Sequence, residues 1–321
     1  MDIFIPSNPE FNQIYLYKIL KMYKNKKKIN KNIKFIKIFP LLEILYCKKS
    51  LYYFTKYHSF NKNIIPQSYD LSNIIDRDNF ITNYDENDIY ILKQNIHRKK
   101  GIILIKDNIP NIINKYFEYN SVICQQFIKN PYLINNRILI VRLYLLSTIQ
   151  NNEIKFYISK WGKCLFTKDI FIRNFNIFEN GLIEKSRFIS NSNYKWINDI
   201  ENNYNLKFPK NLTDLYNYNE NITFEIIIKP IKVLLKSFGK YVLKNQSITN
   251  QISNITFHDF SGIDLIMDCN NFKILEINKN PDMKNYYNNK EKEDKENILK
   301  HINYILKNNL IENTLFHLIN F

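Results

Sequence analysis

A chain of 321 residues with 45% hydrophobic and 15% aromatic content has material for a large core, which excludes a disordered polymer. Its net charge of +16, densest from Lys21 to Lys37, favours acidic partners: nucleic acid, an anionic membrane or an acidic protein tail. The abundant Ile, Asn, Lys and Tyr also fit a low-GC coding bias, which would raise the lysine count without a functional cause.

The N-terminus, MDIFIPSNPE, lacks a basic region and a long apolar run, so no signal peptide is expected. Ile14, Leu16, Ile19, Leu20 and Tyr23 fall near helical spacing, and residues 9–58 read as mostly helical. A small N-terminal domain over 1–75 is expected, closed by Ile65-Pro66-Gln67-Ser68-Tyr69, with an acidic helix or loop from Asp70 to Asp88. Tyr90 to Lys93 and Gly101 to Ile105 read as short strands. The basic loop between them, Gln94 to Lys100, can close over polyphosphate. His97 within it is assigned nothing.

Ser121 to Ile128 is an apolar strand that Asn130-Pro131 ends, and Asn135-Asn136 turns into a long strand, Arg137 to Ser147. Arg142 lies inside that strand, where burial demands an anion: a bound phosphate or a neighbouring carboxylate. It also interrupts the most apolar run, Ile138 to Leu146, which is too short to span a bilayer. Ile154 to Ser159 pairs back, followed by the basic segment Lys160-Trp161-Gly162-Lys163. The Asn/Tyr-rich stretch 191–221, with Trp196, reads as a variable surface insertion. Phe224 to Leu243 is an amphipathic helix or helix pair interrupted by Pro230, and a terminal helix follows near Ile298 to Leu306.

Between those helices, Ile263 to Asp268 and Phe272 to Asn278 form a predicted hairpin about an Asn-rich turn. If Asp268 pairs with Phe272, Asp264 faces Glu276, and Asn278 points to the same side. Opposed carboxylates repel unless a cation neutralises them, and a hard ion such as Mg²⁺ takes oxygen donors of this kind. The alternative is an ordinary polar sheet face, which the apolar flanks and the terminal Asn280-Pro281 argue against.

Other chemistries find little support. The four cysteines, Cys47, Cys124, Cys164 and Cys269, show no CxxC spacing, which removes zinc-ribbon and redox motifs. The five glycines exclude GxGxxG and Walker A loops. Asp259-Phe260-Ser261-Gly262 mimics a kinase DFG but has no catalytic loop to accompany it.

Several segments, in order over roughly residues 65–290, resemble the tubulin–tyrosine ligase family of ATP-grasp enzymes. Tyr90-Ile91-Leu92-Lys93 resembles its phosphate-gripping strand, and Lys100-Gly101-Ile102 the end of its phosphate loop. Gln125-Gln126-Phe127-Ile128-Lys129-Asn130-Pro131 resembles the segment at its adenine pocket. Asn136-Arg137 through Arg142-Leu143-Tyr144, Phe260-Ser261-Gly262-Ile263-Asp264 and Leu275-Glu276-Ile277-Asn278 through Pro281 resemble three further motifs. The resemblance implies an α/β ATP-grasp fold of α+β lobes, with a central lobe over 76–150 and a C-terminal lobe over 151–321.

It also implies a ligase. ATP would phosphorylate a carboxylate, and an amine would attack the acyl phosphate. Lys93, Lys100 and Gly101 would hold phosphates, and Gln125, Gln126, Phe127 and Ile128 the nucleotide. Asp264, Glu276 and Asn278 would hold Mg²⁺, and Arg142 would stabilise the transferred phosphate. The implied partners are an acidic tubulin tail and a free amino acid, met by a cytoplasmic, monomeric chain on microtubules or axonemes; neither nucleic acid nor membrane is expected. The family's Lys and Asp fall here on Ile138 and Ile140, and an expected Arg on Leu165, for which Lys160 or Lys163 would substitute only as a point charge. A pseudoenzyme that holds nucleotide, or docks on microtubules, without turnover is the first competitor, and a basic nucleic-acid binder the second.

Overall fold

The computed structural model describes residues 40–59, 61–94, 102–106, 109, 111, 113, 122–150, 153–172, 190–191, 195–245, 257–269, 271–279, 281 and 316–319. Two antiparallel sheets organise them. The smaller has the order β1 (Ser68–Asp70), β4 (Val122–Gln126), β2 (Tyr90–Gln94), β3 (Ile102–Ile105). The larger runs β10 (Asn271–Asn278), β9 (Phe257–Asp268), β6 (Arg137–Gln150), β7 (Glu153–Thr167), β11 (Phe316–Ile319). Short strands β5 (Leu133–Ile134) and β8 (Ser190–Asn191) flank β6 and β7. The sheets divide the described chain between β4 and β5, whereas the expected lobe boundary at 150 falls within the β6–β7 hairpin.

Each sheet carries its own helical cover, because alternation along a strand leaves one apolar face to bury. Behind the small sheet, Phe80 of α3 (Ile74–Asn83) packs edge-on against Tyr90 at 4.9 Å, with Leu92, Val122 and Cys124 in the same cluster. Behind the large sheet lies α6 (Phe224–Lys244), whose Ile227, Ile231, Leu234 and Phe238 are fully buried. Thr223 caps this helix by accepting from the Ile226 amide. Pro230 sits in its second turn without dividing it, so the stretch is one helix rather than a pair.

α1 (Glu43–Tyr46) and α2 (Lys48–His58) bridge the two sheets, with extended backbone at Cys47 breaking the helix between them. They lie inside the expected N-terminal helical region, of which residues 9–39 fall outside the described residues, as does the expected terminal helix.

Three expectations need correction. Ser68 and Tyr69, expected as part of a closing punctuation, belong with Asp70 to the edge strand β1, paired with β4. The basic segment 160–163 does not follow a strand; β7 continues through it to Thr167. The stretch 191–221 is not a surface insertion: it contains α4 (Lys195–Tyr204) and α5 (Leu212–Tyr218), which bury Ile197, Leu212 and Leu215 in the main core, where Phe208 between them is also buried. Its many Asn residues hid two helices, one capped by Asn211 on the Asp214 amide. No helix among the described residues is long and apolar enough to cross a membrane.

Candidate active site

The hairpin of β9 and β10 delivers its three polar side chains to one place, by a route the sequence does not reveal. Asn271, not Phe272, pairs with Asp268, so the turn is tighter than expected, with Cys269 at a φ of 53°. Unbroken alternation from that turn would put Glu276 on the face of Phe272 and Ile274, against the helix. A bulge between Ile274 and Glu276 absorbs Leu275 and restores the pair Asp264↔Glu276. Asn278 Nδ2 then donates to Glu276 Oε1 at 3.1 Å and Asp264 Oδ2 at 3.3 Å. Gly262 closes the arrangement: Pro281 packs so near that a Cβ there would lie 2.6 Å from Pro281 Cβ.

The next strands extend this site into a row. Lys163, Arg142, Asp264 and Glu276 are successive cross-strand partners on β7, β6, β9 and β10, so they share one face. Arg142 meets the expectation of a carboxylate partner. Its Nε donates to Asp264 Oδ1 at 2.6 Å and its Nη2 to Oδ2 at 2.7 Å. Burial works against the guanidinium charge, but Asp264 more than offsets this and raises its pKa. Of the two lysines that stand near the missing arginine, Lys163 is buried in this row, whereas Lys160 is exposed. Beside the row, Tyr144 is stacked between Trp161 and Phe260, each ring centroid 5.6 Å away.

The apolar residues at the positions where the resemblance leads one to expect charges also take a physical form. Ile140 and Leu165 are direct cross-strand partners, and Ile266 adjoins Ile140 on the other side. Ile140 and Leu165 therefore form one apolar contact in a buried place. Ile138 is buried in the same core.

Across from the row stands the small sheet. Lys93 is buried and donates to Gln125 Oε1 at 2.5 Å, while Gln125 Nε2 donates to Ser68 Oγ at 3.0 Å. Burial lowers the Lys93 pKa to about 8; Glu276 and Asp264 pull it back, and Lys48 pushes it down. Glu276, for which burial alone would raise the pKa, is lowered by Lys48, Lys93, Asn278 and Arg142, so it is held ionised. Gln126 turns away from this site to donate to Asp88, and Phe127 and Ile128 are buried in the main core, Phe127 stacked on Phe171 at 6.1 Å. Lys100, Gly101 and the basic loop beyond Gln94 lie outside the described residues.

Lys48 is the residue that sequence reasoning missed. Its Nζ lies 3.9 Å from Glu276 Oε2, and it lines a cavity of about 20 Å³ with Tyr52, Ser68, Lys93, Gln125 and Leu275. In the sequence it is one lysine in a lysine-rich region, and no local pattern separates it from the rest.

This geometry puts cationic groups from three segments around a carboxylate pair, as binding a polyanion with a divalent cation requires. A match to the tubulin-tyrosine ligase family extends over residues 13–309. The chain belongs to the tubulin–tyrosine ligase family. Membership carries an ATP-grasp-like fold, in keeping with the antiparallel sheets and helices seen here, and ligase-type chemistry in which ATP drives the joining of an amino acid to a protein. A comparison with curated proteins finds no match.

Among the described residues no three His, Cys, Asp or Glu side chains cluster as a metal site. The donor set is instead two carboxylates and an amide. Asn278 now turns its Nδ2 to both carboxylates, holding together two anions that would otherwise repel. Rotating that amide presents Oδ1, which makes the set all oxygen and suits Mg²⁺.

Proposed function

We propose that this protein is an ATP- and Mg²⁺-dependent ligase that joins an amino acid to a protein carboxylate through an acyl phosphate. The row of Arg142, Asp264 and Glu276, with Asn278 beside it and buried Lys93 across the cleft, carries this reading. Asp264, Glu276 and Asn278 would hold Mg²⁺. Bound there, the ion would supply Lewis-acid polarisation of phosphate oxygens.

The remaining work falls to the chain's own side chains. Lys93 and Lys48 bind phosphate charge, and Gln125 fixes the direction of the Lys93 ammonium through its 2.5 Å bond. Arg142, held on one edge by Asp264, keeps its guanidinium fixed beside the carboxylate pair, where it would meet charge on a transferred phosphoryl group. The acyl phosphate is already activated, so attack by the amine needs alignment more than a strong base.

The acceptor is proposed to be the acidic tail of tubulin, which a +16 chain attracts, and the added residue glutamate, glycine or tyrosine. A cytoplasmic place on microtubules follows from that acceptor. The second reading, a pseudoenzyme that binds nucleotide without turnover, draws on the apolar Ile140–Leu165 pair. Incubating the protein with tubulin, ATP, Mg²⁺ and each labelled amino acid separates them. Label in the tubulin tail that is lost with Arg142→Met supports the ligase; nucleotide binding without incorporation of any amino acid favours the pseudoenzyme.

A further inference from the structure

The helix that brings Lys48 to the site is fastened on two sides. One face of α2 carries Lys49, Tyr52, Tyr53 and Lys56, at spacings of three and four that align them along the helix. All four engage two buried acids on the small-sheet side, Asp70 of β1 and Asp76 of α3. Tyr52 OH donates to Asp76 Oδ2 at 2.6 Å and Lys56 Nζ to Asp76 Oδ1 at 2.5 Å. Tyr53 OH donates to Asp70 Oδ2 at 2.8 Å, and Lys49 Nζ lies 2.9 Å from the same oxygen. The opposite face is aromatic: Phe54 meets Phe238 and Tyr241 edge-on at 5.5 and 5.6 Å, against the helix behind the large sheet.

The preceding helix α1 is tied to the hairpin instead. Tyr46 donates to Asp259 of β9, and Lys279 Nζ donates to Glu43 Oε1 at 2.7 Å. Lys48 stands at the joint, one turn before Tyr52. Its depth in the cleft is therefore set by how α2 sits on the acids. Asp76 is the stronger candidate of the two, since it receives Tyr52, which lines the same cavity as Lys48.

We propose that Asp76, acting through Tyr52 and Lys56, is a positioning residue that holds Lys48 over Glu276 and Lys93, and so sets nucleotide affinity without touching nucleotide. This rests on the nucleotide site proposed above. Burial and the Asp76 carboxylate both raise the Tyr52 pKa, which keeps its hydroxyl a donor at any working pH.

A double-mutant cycle tests it, with calorimetric affinity for Mg²⁺ and a non-hydrolysable ATP analogue as the readout. Tyr52→Phe keeps the ring and removes only the hydroxyl; Asp76→Asn keeps an acceptor and removes the charge. Each is expected to weaken binding roughly fivefold or more, the scale of one lost buried hydrogen bond. In a Lys48→Ala background neither should weaken it further, because the group they position is gone. Unfolding midpoints, measured alongside, confirm that each variant is folded at the assay temperature. Losses that multiply with Lys48→Ala, or no loss from either folded variant, would overturn the positioning role and leave the nucleotide site standing. A folded wild type that binds no analogue would overturn the site and the positioning role together.

Discussion

Lys93 is a cation placed in a buried position, and that placement makes it pH-sensitive in a useful range. Its pKa of about 8 lies below the ordinary lysine value because burial disfavours the ammonium. The sign follows: neutral Lys93 is easier to bury, so its stabilising contribution is full above the unfolded value and is lost as pH falls through about 8. Phosphate binding needs the opposite form. Nucleotide affinity is predicted to fall by about an order of magnitude between pH 7 and pH 9, as the ammonium is lost, while Lys93→Arg flattens the profile. Calorimetry at the two pH values decides this, and an unchanged wild-type affinity would count against it.

Asp259 behaves in the complementary way. Burial raises its pKa to about 6, against the lowering effects of the Tyr46 hydrogen bond and Lys279; Glu43 raises it further. A carboxyl raised on folding favours the folded state at low pH, and this stabilisation is lost as pH rises through about 6. Asp259→Asn keeps an acceptor for Tyr46 without the charge. Thermal unfolding should show the variant gaining stability relative to wild type at pH 7.5, on the order of 2 kcal/mol, and much less at pH 4.5. Equal differences at both pH values would contradict the assignment.

At the scale of elements, the hairpin shows what a sequence can and cannot disclose. The pairing of Asp264 with Glu276 was legible because β-branched runs and an Asn-rich turn bracket it. The tight turn and the bulge at Leu275 were not: each shifts the register by one, and the two shifts cancel. Arg142 was legible as a buried charge needing an anion, whereas its partner required knowing that β9 lies next to β6. Lys48 was not legible, since its reach to Glu276 crosses 228 positions of sequence and depends on the break at Cys47. α4 and α5 were missed because Asn scores poorly as a helix former, and tertiary burial of Leu212 and Leu215 outweighs that weak preference. Gly262 supplies a prediction at this scale. Gly262→Ala places a Cβ against Pro281, so the end of β10 must move and carry Asn278 with it. A loss of about 1–3 kcal/mol is expected in chemical denaturation, with weaker Mg²⁺-dependent nucleotide binding. A variant that matches wild type in both would mean that Pro281 gives way freely.

For the molecule as a whole, the two sheets divide the labour of the proposed reaction. The small sheet holds Lys93 and Gln125, the large sheet holds the charged row, and α1 and α2 join them through separate anchors on each. Beside the row, Ile140 and Leu165, where the resemblance leads one to expect charges, meet as cross-strand partners. The most direct test of the central claim is calorimetric binding of ATP with and without Mg²⁺, on wild type and on Glu276→Gln. The account predicts binding that requires Mg²⁺ and that the substitution weakens at least about tenfold, or about 1.4 kcal/mol. A folded wild type that takes no nucleotide with Mg²⁺ present, or a folded Glu276→Gln that binds as wild type does, would contradict it.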